Sequence, residues 1–244
     1  MSYCKLGLVI IFTSFWLCTS CEDTKKGDTP TPVPTVKIDK EAISSEEKKQ
    51  AADTLIDAVF PKLTTENAID FLTEYGKENQ ETRVRIKTQH GDIDIELYTD
   101  TPIHRANFIY LIKQKVFDNS FFHRVVPNFI IQGGNADTRE VHKKRAQISA
   151  GYLLPAEINT RKHTYGSVSG AKEYRKNPNK KTFPFEFFIF LGPPTSTSHL
   201  DGNYTIFGKV TKGMDVVEKI ANLPTDPDGD WPTANVFITA EVLD

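Results

Sequence analysis

The stretch from Phe121 to Gly134 constrains the fold more than any other part of this 244-residue chain. It reads FFHRVVPNFIIQGG, so branched and aromatic residues lie on both sides of a Pro-Asn pair. Such a run, broken by Pro127-Asn128 and closed by two glycines, predicts two short buried strands joined by a tight turn. Arg124 stands in the first strand. Because a guanidinium is rarely buried without a partner or a task, Arg124 is the first candidate functional residue.

The same stretch resembles the signature of the cyclophilin family of peptidyl-prolyl isomerases, F-H-R-[VI]-[IV]-P-x-F-[MI]-x-Q-G-G-[DN]. The resemblance continues in Leu200–Val210 and Gly213–Val217 and covers roughly residues 82–244. It implies a mainly β fold, a closed eight-stranded antiparallel barrel capped by two helices. It also implies an isomerase domain over residues 81–244 that needs no cofactor.

Composition places the chain among ordinary globular proteins and excludes several classes of site. A net charge of -2 gives no reason to expect nucleic-acid binding. All three cysteines lie within the first 21 residues, so the predicted domain has no thiol for disulfides, thiol catalysis or metal binding. The six histidines are dispersed without metal-ligand spacing, so no metal site is predicted.

Residues 1–20 are predicted to be a signal peptide of the lipoprotein type. Lys5 precedes a mainly apolar run from Leu6 to Leu17, which is shorter than the ~20 residues that a membrane-spanning helix needs. The sequence LCTSC resembles a bacterial lipoprotein signal in which Cys21 carries the lipid, although Cys18 stands where that pattern prefers leucine. The expected location is lipid-anchored in the bacterial cell envelope. An ordinary secreted protein is the alternative.

Residues 21–40 and 41–80 are predicted to be a flexible tether and a helical extension. The tether is rich in Asp, Lys, Thr and Pro and has too few apolar groups to fold. In the extension, a helix starting near Ser44 should stop at Pro61, and a second helix should have Thr64 as its N-cap and end at Gly76. The apolar stripe of the second helix is predicted to comprise Ala68, Ile69, Phe71, Leu72 and Tyr75. The outside of the isomerase domain, a separate helical hairpin and a dimer contact remain alternatives for its partner.

Alternating hydrophobicity predicts a hairpin from Arg83 to Tyr98, then a helix from Pro102, and a last strand from Val236 to Val242. Two basic segments have no assigned role: Arg139–Arg145, and Lys172–Pro184, which should border the binding groove. Each is either a solvated surface or a contact for acidic client chains or lipid head groups. The acidic stretch 226–230 lacks the later glutamate of a calcium loop and is interpreted as a turn.

The resemblance implies rotation about X-Pro amide bonds in client polypeptides, without covalent or acid-base chemistry. Arg124 is then the catalytic residue, because its planar and permanently charged guanidinium can donate to the twisted amide. Gln132 is expected to support Arg124 and to contact the substrate backbone. The remaining positions that match substrate-binding residues are Phe129, Ile130, Ala171, Glu186, Phe188, His199, Leu200 and Tyr204.

Three of these positions depart from the usual family pattern. His199 occupies a position where the family usually has tryptophan, Tyr204 one where it has histidine, and Glu186 one where it has glutamine. The exchange at His199 should weaken binding of cyclosporin-type ligands. A carboxylate at Glu186 could pair with Arg124 or repel acidic substrates. The alternative function is therefore a catalytically weak module that binds proline-containing segments as a chaperone or assembly protein.

Overall fold

The computed structural model describes residues 60–135, 137–227 and 229–243. The predicted signal peptide, Cys21, the tether and the first helix of the extension lie outside these residues. Among the described helices, none is both long and apolar enough to cross a membrane.

Eight antiparallel strands close into a barrel, as predicted. The strands follow one another around the barrel in the order β1-β2-β7-β5-β6-β4-β3-β8. Closure comes from β8, which pairs with both β1 and β3. The strands are β1 Arg83–Thr88, β2 Gly91–Leu97, β3 Ser120–Val126, β4 Ile130–Asn135, β5 Ser167–Gly170, β6 Phe187–Phe190, β7 Ile206–Lys212 and β8 Val236–Val242.

Four α-helices accompany the barrel in the described part of the chain. They are α1 Ala68–Glu78, α2 Pro102–Lys113, α3 Arg139–Ile148 and α4 Met214–Ala221, and a short 3₁₀ turn covers Pro194–Ser196. Helices α2 and α4 both contribute buried side chains to the barrel core and correspond to the two predicted capping helices. Helix α3 was not predicted; it is the first of the two basic segments.

The barrel interior is filled mainly by aromatic and branched side chains from alternate strand positions. Phe108 of α2 packs edge-on against Phe187 of β6 with ring centroids 5.4 Å apart, and Phe122 of β3 is fully buried beside them. Along β4, Ile131 belongs to this core, whereas Ile130 belongs to a separate cluster with Phe188. The period of two along each strand therefore leaves every second residue of β4 and β6 for the outer face.

Helix α1 packs against α2 through a cluster of aromatic rings. Phe71 and Tyr75 of α1 lie 5.1 and 5.2 Å from Tyr110 of α2, measured between ring centroids. Burial raises the pKa of Tyr75 to about 12. Within the described residues, this helix therefore packs on α2 of the isomerase domain, with Ala68, Leu72 and Tyr75 of the predicted stripe buried.

Three details of the α1 prediction were wrong. The helix begins at Ala68 after the N-cap Asn67 rather than after Thr64, and Ile69 is 45% exposed instead of buried. The helix also continues past Gly76 to Glu78. A Cβ at Gly76 would lie 3.1 Å from the Cβ of Ala106, so this glycine permits a close approach of the two helices and does not end α1.

Candidate active site on the outer face of the barrel

A tight turn between β3 and β4 positions the candidate site. Phe129 donates its backbone N–H to the carbonyl of Val126 over 3.0 Å, and Asn128 adopts a φ of 58°. Proline followed by asparagine with positive φ is typical of a type II turn, as Pro127-Asn128 suggested. The carbonyl of Phe129 then accepts from the backbone of Leu191 over 2.7 Å, which fixes the turn beside the end of β6.

One row of side chains crosses the outer face of three strands. Arg124 of β3 pairs with Gln132 of β4, and Gln132 pairs with Phe188 of β6. Beside this row, Ile130 pairs with Phe190 and packs with Leu200 in the second hydrophobic cluster. The strand register thus brings the guanidinium and the amide next to an apolar wall.

The row borders a cavity of about 310 Å³. Nine of the ten predicted catalytic and substrate-binding residues line it; Glu186 does not. Lys172 and Tyr174 complete the lining. The predicted basic loop therefore reaches the groove through Lys172, and Tyr174 is an addition that the sequence did not signal. The predicted residues in the lining are Arg124, Phe129, Ile130, Gln132, Ala171, Phe188, His199, Leu200 and Tyr204.

Arg124 is held by an acidic residue that the sequence interpretation treated only as part of a turn. The Nε of Arg124 donates to Oδ2 of Asp230 over 2.9 Å. The backbone of Asp230 is also fixed, since its carbonyl accepts from the N–H of Val125 over 2.8 Å. The terminal guanidinium nitrogens make no hydrogen bond to any other described residue, and the side chain is 40% exposed. Four N–H donors of Arg124 therefore remain for a ligand.

Glu186 pairs with Gln132 rather than with Arg124, so the first of its two predicted roles is wrong, and repulsion of acidic substrates stays a prediction. Nε2 of Gln132 donates to Oε2 of Glu186 over 3.0 Å, and the same oxygen lies 3.7 Å from Nε2 of His123. Burial lowers the pKa of His123, with the nearby Glu186 acting in the opposite direction and Arg145 adding to the decrease. The carboxylate therefore orients Gln132 from beneath the cavity instead of lining it.

His163 supports the apolar wall from the other side. Its ring stacks on Phe188 with centroids 5.9 Å apart and an interplanar angle of 9°. Nδ1 lies 2.8 Å from Oδ1 of Asp201, and Nε2 lies 3.1 Å from the hydroxyl of Ser169. Burial lowers the pKa of His163, although Asp201 favours the charged form. The position of Phe188 thus depends on a buried imidazole.

We expect the unfolding free energy to decrease as the pH falls from about 7.5 to about 5.5. In this window the unfolded chain protonates at His163 and His123, whose ordinary pKa is about 6.5, whereas the folded chain resists protonation because burial lowers the pKa of both groups. Linkage limits the decrease to about 1.4 kcal/mol per pH unit for one such group. Urea denaturation at several pH values measures it.

The variant His163→Asn removes one of these two titrating groups, so its stability should vary less steeply over the same pH window. The exposed His142 provides a matched control, because His142→Asn should leave the wild-type slope unchanged. A slope in His163→Asn as steep as that of the wild type would contradict the assignment.

The ion pair with Asp230 leads to a second expectation. Asp230→Ala should lower kcat about tenfold with little change in KM, because Arg124 loses the group that holds it towards the cavity. Asp230→Asn keeps an acceptor for Nε and should retain more activity than Asp230→Ala. Since both side chains are at least 40% exposed, either variant should cost less than about 1 kcal/mol of stability. Full kcat in Asp230→Ala would show that Arg124 is held by other groups.

The arrangement combines an apolar wall, a fork of charged N–H donors and an amide held by a carboxylate. Such a site can bind a small apolar ring and stabilise negative charge or a lone pair beside it. Among the described residues, no group of three or more His, Cys, Asp or Glu side chains is placed to hold a metal ion.

Comparison with known proteins agrees with this geometry. Residues 83–242 match the family model of the cyclophilin type peptidyl-prolyl cis-trans isomerases. A peptidyl-prolyl cis-trans isomerase from Acinetobacter baylyi is 39% identical over 149 residues, which cover 61% of this chain and 76% of the relative.

Two crystal structures of a cyclophilin type peptidyl-prolyl cis-trans isomerase from Cryptosporidium parvum are similar in fold, and the second was determined in the presence of the dipeptide Ala-Pro. Their TM-scores are 0.56 and 0.55 at 28% sequence identity. The matches cover 67% and 66% of this chain, and 98% and 99% of the solved chains. The chain therefore belongs to the family of cyclophilin-type peptidyl-prolyl cis-trans isomerases.

Proposed function

We propose that this isomerase accelerates rotation about X-Pro bonds in exported proteins by stabilising the twisted amide electrostatically. The observation that carries the proposal is the guanidinium of Arg124. Among the described residues it bonds to Asp230 through Nε alone, and its terminal nitrogens are left for a ligand beside the apolar wall of the cavity.

The chemistry requires neither a nucleophile nor a proton transfer. Resonance makes the barrier to rotation about a peptide bond ~18–20 kcal/mol. In the twisted state the proline nitrogen becomes pyramidal and gains a lone pair, and a charged N–H donor stabilises that lone pair more than it stabilises either planar isomer. Because this interaction is stronger in the transition state than in the ground states, it lowers the barrier.

The other cavity residues have separate tasks in this proposal. Phe129, Phe188 and Leu200 form the apolar wall that holds the proline ring while the preceding carbonyl rotates. Gln132, oriented by Glu186, presents its amide to the substrate backbone. Tyr204 lies edge-on to Phe188 with ring centroids 5.5 Å apart and can donate from its hydroxyl.

The test is the exchange rate between cis and trans forms of a short X-Pro peptide, measured by NMR exchange spectroscopy with the full-length chain in mild detergent. We expect exchange to become much faster than the uncatalysed process, which takes tens to hundreds of seconds. Saturable binding of the peptide without faster exchange would instead indicate a proline-binding chaperone or assembly module.

The location that we propose is the cell envelope, with a lipid on Cys21. The sequence pattern of residues 1–21 supports this proposal, and so does the lack of any cysteine after Cys21, since exported proteins meet an oxidising compartment. A lipid anchor would keep the isomerase beside newly exported chains.

Cys21→Ser should abolish incorporation of radiolabelled fatty acid and move the protein from the membrane fraction to the soluble fraction. Cys4→Ser is the matched control, because Cys4 precedes the apolar run and lies outside the LCTSC motif, and it should leave both properties unchanged. Retention of the label in Cys21→Ser would place the lipid elsewhere or exclude this type of anchor.

A further inference from the structure

A second cavity of about 500 Å³ adjoins the candidate active site. Lys172, Tyr174 and His199 line both cavities, so the two lie side by side. The second cavity also contains Arg175 and Lys180, and we call it the basic pocket. A polypeptide whose proline occupies the first cavity therefore has neighbouring residues within reach of a strongly cationic surface.

The basic pocket has almost no compensating charge. Among the described residues, the loop that follows Ala171 carries Lys172, Arg175, Lys176, Lys180 and Lys181, and its one acidic residue is Glu173. No ion pair joins any of these five cations to a described carboxylate, although many other surface cations of the barrel are paired. The carboxylate of Glu173 accepts from the backbone N–H of Arg175 over 3.1 Å.

The loop is held in place by its own hydrogen bonds. Asn177 accepts from the N–H of Lys181 over 2.9 Å and donates to the carbonyl of the same residue over 2.6 Å. Nζ of Lys180 donates to the carbonyl of Gly202 over 2.6 Å, which attaches the loop to the opposite side of the pocket. The loop backbone and the ammonium group of Lys180 are therefore arranged before any ligand arrives, and less entropy is lost on binding.

Lys172 occupies an environment that favours an added anion. Its ammonium group lies 4.5 Å from the centre of the Tyr204 ring. Burial and the neighbouring charge of Lys180 lower the pKa of Lys172. A carboxylate between the two lysines would offset their mutual repulsion and stabilise both charged forms.

We propose that the basic pocket is a specificity site for acidic side chains, Asp or Glu, that lie close to the proline in the client sequence. This inference rests on the proposed function, since it assumes that the client's proline occupies the first cavity. The anion would pair with Arg175 and Lys180 while the X-Pro bond lies beside Arg124. An acidic polypeptide fits better than a lipid surface because the basic pocket adjoins the cavity that would hold the client's proline and shares three lining residues with it.

The experiment compares peptides of equal length that contain one central Ala-Pro unit. One set places a single Glu at successive positions on either side of that unit, a second set has Lys at the same positions, and the reference peptide has only neutral residues. We expect kcat/KM of the full-length chain for the best Glu peptide to exceed that for the neutral peptide about five- to tenfold. This factor corresponds to a few solvent-screened ion pairs between the peptide carboxylate and the cations of the basic pocket. Raising the ionic strength from about 0.05 to about 0.5 M should reduce this ratio.

The double variant Arg175→Gln/Lys180→Gln should bring the ratio close to one. Its matched control is Lys62→Gln/Lys219→Gln, which removes the same charge from exposed positions outside both cavities and should keep the wild-type ratio. The control separates a local site from the effect of net charge.

Equal activity towards Glu, Lys and neutral peptides would overturn the inference and leave the proposed function intact. Absence of acceleration for every peptide would overturn the proposed function. In that case the binding affinities of the same peptides test the basic pocket, and equal affinities for the Glu and neutral peptides would overturn its role as a specificity site. Loss of binding to anionic phospholipid vesicles in the double variant, without any preference among peptides, would assign the basic pocket to a membrane contact instead.

Discussion

Replacement of Arg124 by alanine should lower kcat/KM for an X-Pro peptide about 100- to 1,000-fold, the range measured when one preorganised donor to a transition state is removed. Most of the loss should be in kcat, because the apolar wall of Phe129, Phe188 and Leu200 still binds the planar substrate. The exchange assay described above measures both constants.

Arg124→Lys is the informative companion variant. It keeps the positive charge but lacks the planar fork that can bind Asp230 through Nε while the terminal nitrogens face the cavity. We therefore expect it to recover little of the lost activity. Both variants should stay within about 1 kcal/mol of the wild-type stability, since the ion pair is partly exposed. Activity of Arg124→Ala within threefold of the wild type would remove Arg124 from the mechanism.

Gly134→Ala should be among the most destabilising single substitutions in the barrel, costing about 3–5 kcal/mol of unfolding free energy. Gly134 adopts a φ of 100°, and a Cβ built there would lie 2.0 Å from the carbonyl oxygen of Phe185. Because the obstacle is the backbone that leads into β6, no side-chain rotation relieves it. Denaturant titration followed by fluorescence measures the cost.

Gly151→Ala separates the two sources of that cost. Gly151 has the same φ of 100°, but nothing lies within 4 Å of a Cβ built there. The unfolding free energy of Gly151→Ala should therefore decrease only by the backbone strain of an alanine in the left-handed region, about 1–2 kcal/mol. Equal decreases in unfolding free energy in the two variants would mean that the backbone at Phe185 moves away from the added methyl group without destabilising the fold.

The strands that carry the site were predictable because their sequence is locally consistent. Between Phe121 and Gly134, a run of strand-forming residues, a Pro-Asn turn and closing glycines all favour the same hairpin. The period of two then places Ile130 and Gln132 on one face of β4, with Ile131 in the core. Local pattern therefore placed four of the eleven residues that line the cavity, Arg124, Phe129, Ile130 and Gln132, and the resemblance to cyclophilins implied their roles.

Features that depend on distant pairing were not predictable. Asp230 reaches Arg124 across 106 positions of sequence, because β8 pairs with β3 when the barrel closes. Pairing with Arg124 was one of two roles predicted for Glu186, yet the structure places Glu186 beside Gln132 and His123. Helix α3 buries only Val141 and Ile148, so it lacks the apolar stripe that would signal a helix.

The barrel core and the outer hydrophobic cluster occupy alternate positions of the same strands, and this arrangement determines which substitutions can alter the peptide preference of the enzyme. Residues 130 and 188 contribute to the cavity wall, and residues 131 and 189 fill the barrel interior. Substitutions at the first pair therefore change the surface that contacts the peptide, and substitutions at the second pair change the packing of the barrel core. A library with only apolar residues at the buried Ile130 and any residue at the exposed His199 should therefore yield many folded members with altered peptide preferences. The same library at Ile131 and Ile189 should yield few folded members, because large-to-small changes in a core typically cost 2–5 kcal/mol.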